Sequence, residues 1–449
     1  MLAHAAEAAM GAGQLARAGA TADRGRRLTG DLVVLARLAA VRAAVDAEHG
    51  GPTPAAHTLI DAAAGIVRDA PADATSLLAT AAGEAWFAGD HAALGQAAKL
   101  LESLAPGVDA RFEVVAGAVR GMERVAAGDP AAGLPLLRAA VPPDRSTAMD
   151  QVTGTYAVFS ALMTGDDDAA CELAAARVAA CREQGLIGAL PHALQLLTQA
   201  LILRGRHTDA AESGAEAWRI AHDTGQAGRL RHLHGILARL AAVEGADERC
   251  VQLAQQAEGA AQERNGSGWG GCALTLLDLV RARYEAVTER MARVLDGPLG
   301  HTVIVTFAIA DYVEACARLG TPDLAAEAFG RFDAWAAASG RPWATAVAHR
   351  CRALLAPRGE AEEHYGAALE RHAQGGRAFE QARTQLLYGE WLRRARRRSD
   401  AGTQLRAAMG GFAAMGAAPW AERARTELAA TGARADLPEL GVAANPSTR

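Results

Sequence analysis

Lys99 is the chain's one lysine; every other basic residue, of 46 lysines and arginines together, is arginine. A phosphate-binding loop of the GxxxxGK[ST] kind needs a lysine to reach the terminal phosphates. Lys99 stands between Ala98 and Leu100, so the chain has no such loop. A solitary lysine also argues against Schiff-base chemistry. Asp166, Asp167 and Asp168 invite comparison with the metal-binding aspartates of all-α isoprenoid enzymes. That motif needs an acid three residues after the second aspartate, and Ala170 and Cys171 stand where it would be. Three acids opening a helix after a glycine turn instead complement the helix dipole.

His232 and His234 are two residues apart, so on a helix they point about 200° away from each other and cannot share a metal. None of the 13 histidines belongs to a His-Glu-x-x-His pattern. A nucleophilic serine usually sits on a sharp strand-to-helix turn, and Gly266-Ser267-Gly268 has no strand before it. The run Arg393, Arg394, Arg396, Arg397 and Arg398 is the strongest charge feature, but formal net charge is −5 and the pI about 6.2. A short basic run in an acidic chain reads as a helix end, where cations face the carbonyls, with Ser399-Asp400 capping the next helix. Catalytic residues, metal ligands and cofactors are therefore not expected, nor is direct binding to nucleic acid.

The elements that would carry any site are clearest between Gly185 and Gly225. Pro191 suits the first turn of a helix, and Leu190, Leu194, Leu197 and Leu201 then recur on one helical stripe. Gly205-Arg206 turns the chain, Thr208 is placed to cap the next helix, and Ala211, Ala215, Trp218 and Ala221 are expected to face the first. Such a hairpin buries too little to offset its ordering entropy. It must stack on copies of itself, and the chain supplies them.

Turns at Gly50, Gly89, Gly128, Gly165, Gly205 and Gly245 follow at steps of 37 to 40 residues. They continue near Arg283-Tyr284, Gly320, Arg358-Gly359 and Ser399-Asp400. A second series (Gly185, Gly225, Gly266, Gly340, Gly376, Gly416) lies half a period out of phase. Two interleaved series at one period mean helix, turn, helix, turn. The fold class is all-α: a right-handed, tetratricopeptide-like α-solenoid of about eleven antiparallel helix pairs over residues 1–432. A softer joint is expected near 141–146, at Val141-Pro142-Pro143-Asp144, and a disordered tail over 433–449. Val303-Ile304-Val305-Thr306-Phe307 reads as a strand in isolation, but its register argues for helix.

Half the residues are hydrophobic and only 4% aromatic, which lets helices approach closely. No run reaches the eighteen apolar residues of a membrane span, and Glu7 interrupts what a secretory signal would need. The six cysteines lack a CxxC pair and read as small buried hydrophobes of a reducing cytoplasm.

What remains is the solenoid's surface. Opposite the leucine stripe lie His192, Gln195 and Gln199. Shifting by one period reaches Phe159 before them, then His232 and Arg239, then Asp278 and Glu314. If first helices line the inside of the superhelix, these residues border a groove that takes a protein segment, through a partner or self-association, or a small effector. The competing reading is that most are merely solvated.

Phe379 to Asp400 (FEQARTQLLYGEWLRRARRRSD), Gly416 to Arg425 (GAAPWAERAR) and Ala430-Thr431-Gly432 resemble the last helical repeats of large ATP-binding transcriptional regulators of the LuxR class, the MalT-like type. Gly83 to Asp90, Gly185 to Pro191 and Arg331 to Trp343 agree, so the resemblance covers roughly 2–432. It implies a regulatory platform that senses an effector or partner and controls self-association. In that family an ATPase module precedes the repeats and a helix-turn-helix follows them. Neither motif is in this chain, so nucleotide hydrolysis and DNA binding are carried over to none of its residues. A third reading, an unrecognised all-α enzyme, has no motif behind it.

Overall fold

The computed structural model describes residues 1–104, 110–145, 149–258, 268–357 and 359–432. Among them are twenty-three α-helices, one short 3-10 helix and no strand. They form eleven successive pairs and a last single helix. The pairs are Leu2–Gly11 (α1) with Leu15–Arg26 (α2), Leu32–Gly50 (α3) with Pro52–Ile66 (α4), Pro71–Ala88 (α5) with His91–Leu104 (α6), and Ala110–Ala126 (α7) with Pro130–Ala139 (α8). Next come Gln151–Met163 (α9) with Asp167–Glu183 (α10), Leu190–Leu203 (α11) with His207–Asp223 (α12), and Ala227–Glu244 (α13) with Asp247–Glu258 (α14). The last are Trp269–Val280 (α15) with Tyr284–Leu295 (α16), Val303–Leu319 (α17) with Ala326–Ser339 (α18), Pro342–Leu355 (α19) with Ala361–His372 (α20), Ala378–Arg394 (α21) with Arg398–Ala414 (α22), and then Ala418–Ala429 (α23). The stretch 303–307 opens α17, as its register requires. The tail 433–449 lies outside the described residues.

The turns follow from local chemistry. Gly89, Gly128, Gly165, Gly205, Gly245 and Gly320 all have positive φ, the left-handed conformation in which glycine ends a helix without a β-carbon clash. After the first three of these glycines an aspartate caps the next helix: Asp90 accepts from the Ala93 amide at 2.9 Å, Asp129 from Ala132 at 3.0 Å and Asp166 from Ala169 at 3.2 Å. Where the glycine series lapses, Ala282 and Arg396 take the same left-handed turn at φ 55° and 62°.

Three local expectations are corrected. Thr208 caps nothing, because α12 begins one residue earlier with Arg206 at its N-cap and no side-chain bond. Ser399 and Asp400 likewise lie inside the first turn of α22. The buried stripe of α12 is His207, Ala210, Ser213, Gly214, Ala217 and Ala221, which leaves Ala215 and Trp218 exposed.

The superhelix closes upon itself. Bonds join residues 172 to 215 positions apart, from Trp335 Nε1 to the Met163 carbonyl (3.1 Å) at one limit to His301 Nε2 and the Trp86 carbonyl (3.2 Å) at the other. At a repeat near 39 residues that is about five repeats per turn, so the second turn rests on the first. The Gly188 amide donates to the Gly11 carbonyl at 2.8 Å. A β-carbon at Gly188 would lie 2.1 Å from the Met10 carbonyl oxygen, and one at Gly89 would lie 2.2 Å from that of Pro298. The turns therefore touch backbone to backbone at positions where only glycine fits.

Candidate functional site

Because the turns touch, the first helices of the pairs are buried on two sides. α11 buries Leu190, Leu194 and Leu201 against its neighbours and also Gln195 and Gln199 on the opposite face. The inner face is thus an enclosed lumen rather than an open groove, with Gln195 1% and Glu314 0% exposed. The sequence-derived residues other than Asp278 divide between two regions of different chemistry.

Toward the N-terminal half the lumen is aromatic and amide-lined. Trp86, Phe87 and Phe159 pack edge to face with centroids 5.9 Å apart for Trp86–Phe159 and for Phe87–Phe159, a geometry favoured by the ring quadrupole. His232 meets Phe87 edge-on at 5.1 Å. Arg229 Nη1 donates to Gln195 Oε1 at 2.8 Å, and the Arg229 amide donates to Glu48 Oε2 at 3.1 Å. Burial, opposed by Arg229 and reinforced by Glu48, raises the Glu84 carboxyl to about 7. Burial with Arg229 nearby lowers His232 to about 4 and His192 well below its usual range, so both imidazoles are neutral near pH 7.

Beside these groups a cavity of about 40 Å³ lies among Trp86, Phe87, Phe159, Gln195, Gln199, Trp269 and Phe307. It joins side chains of α5 and α9 in the first turn to those of α11, α15 and α17 in the second.

Toward the C-terminal half the lumen is filled by ions. Arg383, 2% exposed on its side chain, pairs with Asp311 and with Glu314 at 2.8 Å. Arg423 bridges Glu314 at 3.0 Å and Glu390 at 2.9 Å, and Glu390 also holds Arg318. The fully buried Arg350 reaches Glu380 at 2.7 Å. Burial alone would raise these carboxyls, but Arg423, Arg383 and Arg318 hold Glu314 at about 2, and Arg350 and Arg383 do the same to Glu380. Arg239 lies 3.7 Å from Asp311. Asp278 is bound by Arg283 at 2.8 Å and Arg290 at 2.7 Å, between α15 and α16 rather than on the axis.

So Phe159, Gln195 and Gln199 come together at the cavity, and His192 and His232 share the charged field of Arg229. Arg239 and Glu314 join the ion network, while Asp278 stands apart. Sequence reasoning missed Arg350, Arg383, Glu390 and Arg423. Carrying the repeat step forward from Glu314 reaches Arg350 and then Glu390, each a charge inside an otherwise apolar helix, and that was the available signal.

A second missed feature is a clasp between the turns. Asp167 accepts both Nε (2.8 Å) and Nη2 (3.0 Å) of Arg377, 210 residues away. That guanidinium stacks 3.5 Å from the Trp343 ring and 4.1 Å from Phe307. Arg341 holds Asp166 at 2.7 Å, and the Trp343 indole donates to the Gly165 carbonyl at 3.0 Å. The three-aspartate cluster is therefore half of a latch as well as a helix start. In the basic run, Arg393 pairs with Glu427 at 2.6 Å, and Arg397 with Glu362 and Asp400. Among the described residues no cluster of three or more His, Cys, Asp or Glu could hold a metal ion, and no helix is long and apolar enough to cross a membrane.

No protein-family model and no curated protein matches the chain. Among solved structures it matches one described as a circular tandem repeat protein with novel repeat topology and enhanced subunit contact surfaces, at 12% identity, over 96% of this chain and 95% of that one, with a TM-score of 0.14. At that score the fold assignment rests on the helices themselves.

Proposed function

We propose that the chain is a non-catalytic regulatory helical-repeat module of a LuxR-class, MalT-like transcriptional regulator, acting through protein partners and sensing a signal. The observation that carries this reading is the latch between superhelical turns. Two turns pressed together, with Arg377 gripped by Asp167, Trp343 and Phe307, form an element with a closed arrangement that a partner or effector can bias. The resemblance over 2–432 supplies the regulatory setting. The setting is cytoplasmic, and the partner is a protein or a second copy of the chain.

The test has two arms. Cross-linked affinity capture from the native host, with wild type and Trp343→Ala, should recover one reproducible partner whose yield changes when the latch is loosened. Deleting the gene should alter a compact set of transcripts. Recovery of the chain alone from both proteins, with an unchanged transcript profile, rejects the reading. An effector reading is favoured by one observation, the unpartnered Gln199 amide at the axial cavity.

A further inference from the structure

Gln199 is 8% exposed, lines the axial cavity, and makes no hydrogen bond to any described residue. Its neighbour one helical turn back behaves differently: Gln195 Oε1 is taken by Arg229. Its amide atoms are not sealed from solvent, so a donor and an acceptor stand open at the cavity without a protein partner. The rings around it are Trp86, Phe87, Phe159, Trp269 and Phe307, and no charged side chain lines the cavity.

We infer that this cavity is a ligand site for a small, uncharged, single-ring compound carrying a hydrogen-bond donor beside an acceptor, as a carboxamide or a lactam does. The inference rests on the sensing half of the function proposed above. Flat rings match aromatic walls on which they stack or meet edge to face. A donor beside an acceptor matches the amide of Gln199, which offers both. A charge on the ligand would find no counter-ion in the lining and would carry its full desolvation cost.

As it stands the cavity holds about three waters, so a ring enters only if a wall yields. The wall shared with the latch is Phe307, which meets Trp335 at 5.1 Å and Trp343 at 5.2 Å and lies beneath the Arg377 guanidinium. Ligand binding and loosening of the Asp167–Arg377 latch are therefore one event, and the ligand selects the loosened form.

The experiment titrates the full chain with benzamide and 2-pyridone as neutral probes, benzoate and benzylammonium as charged ones, and toluene as an apolar one. Tryptophan fluorescence reports through Trp86 and Trp269, and melting temperature gives a second readout. Benzamide and 2-pyridone should bind at least tenfold more tightly than either ion and raise the melting point with concentration. Amide hydrogen exchange around residues 163–167 should rise when they bind. In Gln199→Met, affinity for both neutral amides should fall at least tenfold while toluene binding is kept, and the unliganded variant should melt at or above wild type.

Equal binding of the ions, or unchanged amide affinity in Gln199→Met, overturns the inference. So does failure of both neutral amides to bind, which leaves partner capture standing. The neutral-against-charged comparison uses wild-type protein and holds whether or not the variant folds. Amide binding that leaves partner capture unaltered keeps the site and removes its regulatory role.

Discussion

The two halves of the lumen are lined by the same kind of helix and filled by opposite chemistry. Around Arg383 four carboxylates and five arginines interlock, and the axis is packed with mutual partners. Around Gln199 rings and amides leave free volume, and one polar side chain has no partner. Buried ions are tolerated only when paired, because an unpaired charge carries a large desolvation cost; each carboxylate of the ionic half therefore faces at least one guanidinium, although single atoms such as Asp311 Oδ2 and Arg383 Nε make no hydrogen bond. A neutral amide left unpaired costs far less, so the aromatic half can stay incomplete. Incompleteness is what a recognition site needs.

The largest expected effect comes from breaking the ionic half. Arg383→Met strands Asp311, Glu314 and Glu380 without their shared cation and should lower unfolding free energy by about 3–5 kcal/mol, read from urea denaturation. A loss below about 1 kcal/mol would mean that the network is wetter than its burial indicates.

Next is the latch beside the aromatic half. Trp343→Ala removes a buried ring, its bond to the Gly165 carbonyl and the platform under Arg377. It should cost about 3–5 kcal/mol at most, and its signature is regional. Hydrogen exchange should quicken near 163–167 and 301–307 and hold steady across α23. Uniform quickening would erase the distinction between the halves.

The halves should also answer pH with opposite sign. Glu314, held at about 2 when folded against an ordinary 4.5, contributes stability that is present above about 4.5 and lost as pH falls toward 2. Glu84, raised to about 7, keeps its proton in the folded state, so its contribution is present below about 4.5 and fades as pH rises to 7. Melting curves from pH 2 to 8 should lose part of their acid slope in Glu314→Gln, with Glu380 supplying the rest, and gain stability near neutrality in Glu84→Gln. Matching profiles for the two variants would contradict the assignment of their environments.

The smallest effect belongs to neither half. Ala282→Gly and Arg396→Gly relieve left-handed residues in two turns, and each should stabilise by about 0.5–1 kcal/mol, seen as a rise in melting temperature with pH dependence and exchange pattern unchanged.

Helix boundaries, turn positions and the number of pairs were legible in the sequence, because glycine and aspartate act locally: a left-handed turn and an N-cap depend on the few residues beside them. Which residues share a helical face was legible too, since a face follows from period alone. Thr208 and Ser399 failed as caps because the observed caps, Arg206 and Arg397, lie two residues earlier, a shift that periodicity does not resolve. Trp218 was placed inward and lies outside for the same reason.

What the sequence could not provide is the number of repeats per superhelical turn. That angle is the sum of small rotations set by side-chain packing at each interface, and no local motif encodes it. Only the tertiary structure brings Asp167 to Arg377, Trp86 to His301 and Phe159 to Phe307's side of one cavity, and so turns an expected open groove into a closed lumen with an ionic half and an aromatic one.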